Sequence, residues 1–382
     1  MNSERTKVYY DLGWRVVCDE HYEFPPLPCA WPGCANGVPT DEIEVELPGL
    51  SKYEIHRRAI WIDGDGEKSY TWESTERDAR VGMLGRVIAR EAVRKGILPK
   101  LDYSSHFPTI YHYTTSASFV KIIESGELWL SDYSYLNDRA ELVYGADLAL
   151  NRFKKVAESK AEATAKILEK WASSLFDENP RICVASFSMD GDSLSQWRAY
   201  GQLAIGFEYS PLMFGYNNTT RADLVIYDST TQERLLDLSA QLVACAYEND
   251  AEKIPDRVDE IYENGGSRIV ETISFFKHPA FADEREFRIV HSEYPHVYKS
   301  MPFLDRAPYR FRESTGIIVP YVTTRDLADS DVSTKYPEQL PIREIVIGPG
   351  ADADSLERGI NALLKVKGYQ EVVVRRSTAP LR

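Results

Sequence analysis

The residues best suited to chemistry in this chain are the charges of one short strand-like segment, Asp283-Glu284-Arg285-Glu286-Phe287-Arg288-Ile289-Val290. Successive side chains alternate along a strand, which predicts Glu284, Glu286 and Arg288 on one face and Phe287 and Ile289 on the other. If this face lines a cleft, one carboxylate can stabilise a developing positive charge while the other orients or deprotonates a nucleophile. If it faces water, the same pattern is a solvated strand with a cross-paired ion network. Upstream, Tyr111-His112-Tyr113-Thr114 places a histidine on a strand just before a turn, a position from which a nucleotide can be bound. Between the two lies Cys183-Val184-Ala185-Ser186-Phe187-Ser188, an apolar strand ending in hydroxyls. Trp197 and Tyr200 follow at i and i+3. That aromatic pair is either a ligand platform or, as is commoner, core packing.

A second constellation sits near the N-terminus. Cys18 and His21 form C-x2-H, and Cys29 and Cys34 form C-x4-C, spacings at which two pairs can share one tetrahedral zinc ion. Four protein ligands leave no open position, so such a zinc would be structural, ordering a segment poor in apolar residues. The alternative is four ordinary side chains in a proline-rich loop. Cys183 and Cys245 are expected in the core. His278 and His291 flank the late strand, where surface or core placement is usual. Gly348-Pro349-Gly350 reads as a turn before a helix, with backbone donors to a phosphate as the alternative.

The elements that must position these residues follow from periodicity. Thr115 or Ser116 can cap a helix carrying Phe119, Val120, Ile122 and Ile123, which Gly126 would stop in the left-handed conformation. Strands are predicted over 109–114, 127–131, 181–187, 203–209, 222–227, 285–291, 315–321, 343–347 and 371–375. Helices are predicted over 72–96, 115–125, 138–175, 231–276 and 353–367. Many strands with irregularly placed helices imply an α+β fold. Residues 1–100 differ in texture, being rich in proline, glycine and acids at the start, and are read as an N-terminal extension to a domain spanning 101–382.

Composition sets outer limits. The 382 residues are 43% hydrophobic and 12% aromatic, enough for a sizeable core. A net charge of −14 argues against sequence-independent binding of nucleic acid through a broad basic surface, although a local groove remains compatible with it. Five cysteines, an odd number spread over a long chain, do not form a disulfide framework pattern. No stretch of about 18 apolar residues predicts a membrane span, and MNSERTKVYY holds no signal-peptide core, so a cytoplasmic protein with no membrane partner is expected.

Two resemblances bear on these motifs. The series YHYT, SGELWLSDYSYLNDRAE, CVASFSMDGDSLSQWRAYG, AIGFE, FKHPAFADEREFRIV and IREIVIGPGAD, over roughly residues 108–350, resembles a bacterial family catalogued as a domain of unknown function. The order of the HYT strand, the SFS strand and the late E-x-E strand is similar to that of the ADP-ribosyltransferase superfamily. That second resemblance implies a split mixed β-sheet with flanking helices, NAD as substrate, and a protein or nucleic-acid acceptor, in a bacterial toxin or anti-phage defence effector. On it, His112 would hydrogen-bond the nicotinamide-side ribose, Tyr113 and Thr114 would shape the pocket, and Ser186 and Ser188 would support it. Glu286 would be the catalytic carboxylate and Glu284 the residue nearer the acceptor. The pattern departs from the superfamily in lacking an early catalytic arginine, and the second-motif tyrosine is ambiguous among Tyr200, Tyr209 and Tyr216. Asn137, Asp138 and Glu141 belong to the first resemblance, either as helix caps or as site residues. A catalytically inert nucleotide-sensing or partner-binding module on the same scaffold is the other functional reading.

Overall fold

The computed structural model describes residues 109–380 apart from short segments at 136–138, 177–179, 210–219, 254, 257, 264, 294–307, 315, 330–335 and 351. Before residue 109 it describes six short strands and a few residues between 84 and 98. The six strands form three antiparallel pairs: β1 (Lys7–Asp11) with β2 (Trp14–Cys18), β3 (Glu42–Val45) with β4 (Tyr53–His56), and β5 (Arg58–Asp63) with β6 (Gly66–Thr71). Leu84, Ile88 and Ala92, from the helix predicted over 72–96, are helical and buried in the same core as residues far beyond 101. The body is α+β, with one open mixed sheet of ten strands flanked by helices.

The HYT strand is β7 (Thr109–Thr114), and α1 (Ser116–Ser125) follows it. Thr115 is the N-cap, accepting from the Ser118 amide, and Gly126 ends the helix at φ 67. Both were expected from sequence, because the cap satisfies an orphan amide and only glycine takes positive φ without penalty. Next come β8 (Trp129–Asp132), α2 (Arg139–Ala157), α3 (Glu162–Ser173) and β9 (Arg181–Ser188). A short α4 (Leu194–Tyr200) leads into β10 (Leu203–Glu208), and β11 (Thr220–Leu224) precedes α5 (Ser229–Lys253), α6 (Val258–Tyr262) and α7 (Ser267–Ile273). The late acidic strand is β12 (Glu286–Glu293), entered from a 3-10 helix over Pro279–Glu284. The chain closes with β13 (Arg310–Ser314), β14 (Ile317–Thr323), α8 (Thr324–Asp329), β15 (Ile342–Ile347), α9 (Ala353–Val366) and β16 (Val373–Arg376).

Several predicted elements are divided. The predicted helix 138–175 breaks between α2 and α3. The predicted helix 231–276 becomes three pieces, with Pro255 unable to donate to a continuing ladder. The strand predicted over 315–321 is half of a hairpin that turns at Gly316 (φ 86).

Strand order runs β13-β14-β8-β9-β7-β10-β15-β16, with β12 on the remaining edge of β9 and β11 beyond it. All pairs are antiparallel except β15 with β16. One edge of β9 is shared by two strands: Ser188 pairs Tyr111 of β7, whereas Val184 and Cys183 pair Ser131 and Asp132 of β8. The sheet is therefore split between β7 and β8. Alternation then separates two cores. Ile182, Val184 and Val290 face α2, α3 and α5, while Ile110, Phe187, Ile205, Phe287 and Ile289 face α1 and α9.

Gly201, after α4, has φ 137, and a Cβ there would lie 2.5 Å from the Thr114 carbonyl oxygen. Only glycine lets the two chains approach this closely. Gly201→Ala is expected to cost about 1–3 kcal/mol through left-handed strain and overpacking, read as a lower urea midpoint.

Candidate active site

The acidic segment does not enter the sheet as a continuous strand. Arg285 takes φ 45, the one non-glycine residue with positive φ among the described residues, so alternation is broken between Glu284 and Glu286. Phe287 and Ile289 face the core away from Glu286 and Arg288, as expected. Glu284 reaches the same cluster from the 3-10 helix rather than from the strand.

Five charged side chains meet on the Glu286 face. Arg288 clasps Glu286 through Nε to Oε1 at 2.6 Å and Nη2 to Oε2 at 2.9 Å, and its Nη2 also reaches Glu141 Oε2 at 2.5 Å. Lys277 Nζ lies 2.9 Å from Glu141 Oε1, 2.8 Å from Glu284 Oε2 and 3.2 Å from Glu286 Oε2. The Arg288 fork is completed by the Ser274 carbonyl at 2.8 Å, and the Glu286 amide donates to the Tyr227 hydroxyl at 2.9 Å. Glu286 is 5% exposed, Arg288 3%, Lys277 1% and Glu141 5%. Burying so many charges costs several kcal/mol per ion unless they pair, and here each has an opposite neighbour.

The two buried carboxylates are pushed in opposite directions. Burial raises Glu286, but Arg288 and Lys277 outweigh it, and its carboxyl is held below the usual range. At Glu141 burial wins over the same two cations, and its carboxyl is raised. Arg288 and Lys277 thus favour the ionised form of Glu286, while Glu141, bonded to the same two cations, ionises less readily. Glu286 also accepts from the hydroxyl of Ser186, a residue that is exposed. The carboxylate thus sits one hydroxyl beneath the surface.

A lowered folded-state pKa means that the stability contributed by Glu286 is present above the usual carboxylate range and is lost as pH falls through the lowered value. Glu141 has the opposite sign, contributing below its usual range and losing that contribution as pH rises. Glu286→Gln is therefore expected to flatten, though not abolish, the fall in urea midpoint between about pH 5 and pH 3. A slope equal to that of the natural sequence would show that Glu286 is not held ionised.

The other predicted residues fall into three places. Ser188 shares the Glu286 face, with its hydroxyl donating to the Glu284 carbonyl at 2.8 Å and accepting from the Asp190 amide at 3.1 Å. It braces the loop that aims both glutamates. Tyr113 and Trp197 pack edge to face at 4.6 Å in a small core with Ala204 and Val346, and Trp197 Nε1 is tied to Asp192. Thr114 is buried and Tyr200 is 43% exposed. His112 lies on the opposite sheet face from Glu286, because Tyr111 pairs Ser188, which pairs Glu286, and His112 is one residue out of that row. Its Nδ1 is 3.3 Å from the Ser186 carbonyl and its ring packs 5.8 Å from Phe187. A carbonyl only accepts, so Nδ1 carries the proton, and the imidazole fills the split between β7 and β8 where β9 lacks a ladder partner. His112 and Glu286 therefore do not share one face of the sheet.

Sequence reasoning missed Lys277 as a site residue and left Glu141 as a helix cap or site residue. A lone lysine after the apolar run Ile273-Ser274-Phe275-Phe276 was the available signal. Of the N-terminal cluster, Cys18 ends β2, and His21, Cys29 and Cys34 lie outside the described residues, as do Asn137, Asp138 and Tyr216. Among the described residues no group of His, Cys, Asp and Glu has metal-binding geometry, and no helix is long and apolar enough to cross a membrane.

Residues 196–289 match DUF2971, described as a protein of unknown function. A family model of the expected kind is therefore matched, over a shorter stretch than the motif series covers. The DUF2971 segment runs from Gln196 in α4 to Ile289 in β12, taking in Lys277, Glu284, Glu286 and Arg288 and leaving Glu141 outside it. No curated protein and no solved structure matches the chain significantly.

Proposed function

We propose that the protein transfers ADP-ribose from NAD to a macromolecular acceptor, with Glu286 as the catalytic carboxylate. One observation carries this reading: Glu286 is fixed by two cations in a buried site, immediately beneath the exposed Ser186. Cleavage of the bond between nicotinamide and ribose leaves an oxocarbenium-like centre, and a preorganised negative charge beside it lowers the barrier. Glu286 supplies that charge, and Glu284 stands nearer the surface on the acceptor side. Arg288 and Lys277 position the carboxylates. The split between β7 and β8 supports the ADP-ribosyltransferase-like fold, and the left-handed Arg285 is the kind of local strain that marks functional sites. In this reading His112 holds the split closed rather than touching ribose.

Nucleotide binding without turnover is the second reading, favoured because Glu286 is nearly sealed and its oxygens are already engaged. Incubation of the full chain with NAD labelled on the adenosine side, with cell lysate as acceptor source, separates the two. Transfer predicts free nicotinamide and a labelled macromolecule. Binding alone predicts heat on NAD titration with no nicotinamide, and the absence of both ends the NAD reading.

A further inference from the structure

A second polar cluster lies on the other face of β12, toward its far end, and the proposed NAD chemistry does not use it. Thr220 of β11 is the cross-strand partner of His291, and its Oγ1 is 3.1 Å from His291 Nδ1. The other ring nitrogen, Nε2, is 2.9 Å from Glu293 Oε1. Arg181, the cross-strand partner of Glu293 on β9, pairs with the remaining carboxylate oxygen. His291 and Glu293 are buried, while Thr220 is half-buried.

The donor directions follow from chemistry. Burial raises the Glu293 carboxyl, but His291 and Arg181 outweigh it and keep it below its usual range. Burial lowers His291, so the ring is neutral near pH 7. An ionised carboxylate only accepts, so the ring proton sits on Nε2 and the lone pair on Nδ1. That lone pair faces the Thr220 hydroxyl. The sequence hydroxyl, imidazole, carboxylate is the arrangement that activates an alcohol nucleophile. Cys183, the cross-strand partner of His291 on β9, is buried and its pKa is pushed up to about 12, leaving the hydroxyl as the nucleophile of the cluster.

We propose that Thr220, His291 and Glu293 form a nucleophilic relay that takes acyl groups from activated esters, a site independent of Glu286. Thr220 Oγ1 bonds to the acyl carbon while its proton passes to His291 Nδ1. The bond from that carbon to the leaving alcohol oxygen breaks, and His291 returns the proton to that oxygen. Water then attacks the acyl-threonine ester by the same route, releasing a carboxylic acid and restoring the hydroxyl. Glu293 holds the ring and stabilises its transient charge.

The test uses the full chain with p-nitrophenyl acetate, mapping acetyl groups by mass spectrometry over time. Acetylation is expected on Thr220, lost in Thr220→Val and retained in Thr220→Ser, with unchanged circular dichroism. The rate at Thr220 should fall about a hundredfold or more in His291→Gln, the scale of a lost general base. Because His291 is buried and its variant can lose the fold, the valine and serine pair stands as the independent check. Acetyl groups confined to lysines and the N-terminus, or Thr220 labelling that is as fast in His291→Gln, overturns the proposal.

Discussion

Glu286→Gln should reduce NAD-dependent nicotinamide release by on the order of a hundred- to a thousandfold while leaving the protein folded. The substitution keeps the size and one acceptor oxygen for Arg288, while the amide NH2 gives up the other arm of the clasp. Charge balance survives. Three carboxylates, Glu141, Glu284 and Glu286, face two cations, Lys277 and Arg288; removing one negative charge leaves two against two. The buried cluster is then neutral, which is the cheapest condition for charges away from water. What disappears is the excess negative charge that would meet a developing cation. A loss of activity with an unchanged near-ultraviolet spectrum fits a catalytic carboxylate. Undiminished nicotinamide release would remove Glu286 from the mechanism.

The opposite result is expected at Arg288. Arg288→Leu leaves two buried carboxylates and the half-buried Glu284 with Lys277 alone, and the Ser274 carbonyl loses its donor. Removing one partner of a buried ion network costs about 3–5 kcal/mol, because the remaining charges stay desolvated without compensation. Chemical denaturation should show the loss directly. A double variant, Glu286→Gln with Arg288→Leu, should recover part of it, since the two act through one contact. If Arg288→Leu is as stable as the natural protein, the clasp is not what holds β12 and α2 together.

Taken together, the two variants separate positioning from chemistry. A structural ion network predicts that both lower stability and that neither has an effect on NAD beyond the loss of folded protein. A catalytic network predicts that Glu286→Gln is folded and inactive.

The strands bearing the motifs were legible in the sequence because half-buried strands alternate and end at turn residues. β7, β9, β10, β12 and β15 lie within two residues of where periodicity places them. The cap at Thr115 and the stop at Gly126 were legible for the same reason, since each solves a local backbone problem with a local residue. The helix break near 158–161 was not, because only packing decides where the chain turns back, whereas the break after Lys253 carries a local signal in Pro255.

The sequence by itself determined which face of each strand a side chain takes: His112 with Ile110 and Thr114, Glu286 with Arg288. That depends on nothing beyond a period of two. Only the tertiary structure decided which faces look toward each other. Register is set by long-range pairing, and pairing Tyr111, Ser188 and Glu286 in one row sends His112 to the far side of the sheet. Lys277 reaches Glu286 from a nearby loop and Glu141 joins from a helix distant in the chain, for the physical reason that buried carboxylates and cations are stable away from water only when they share partners.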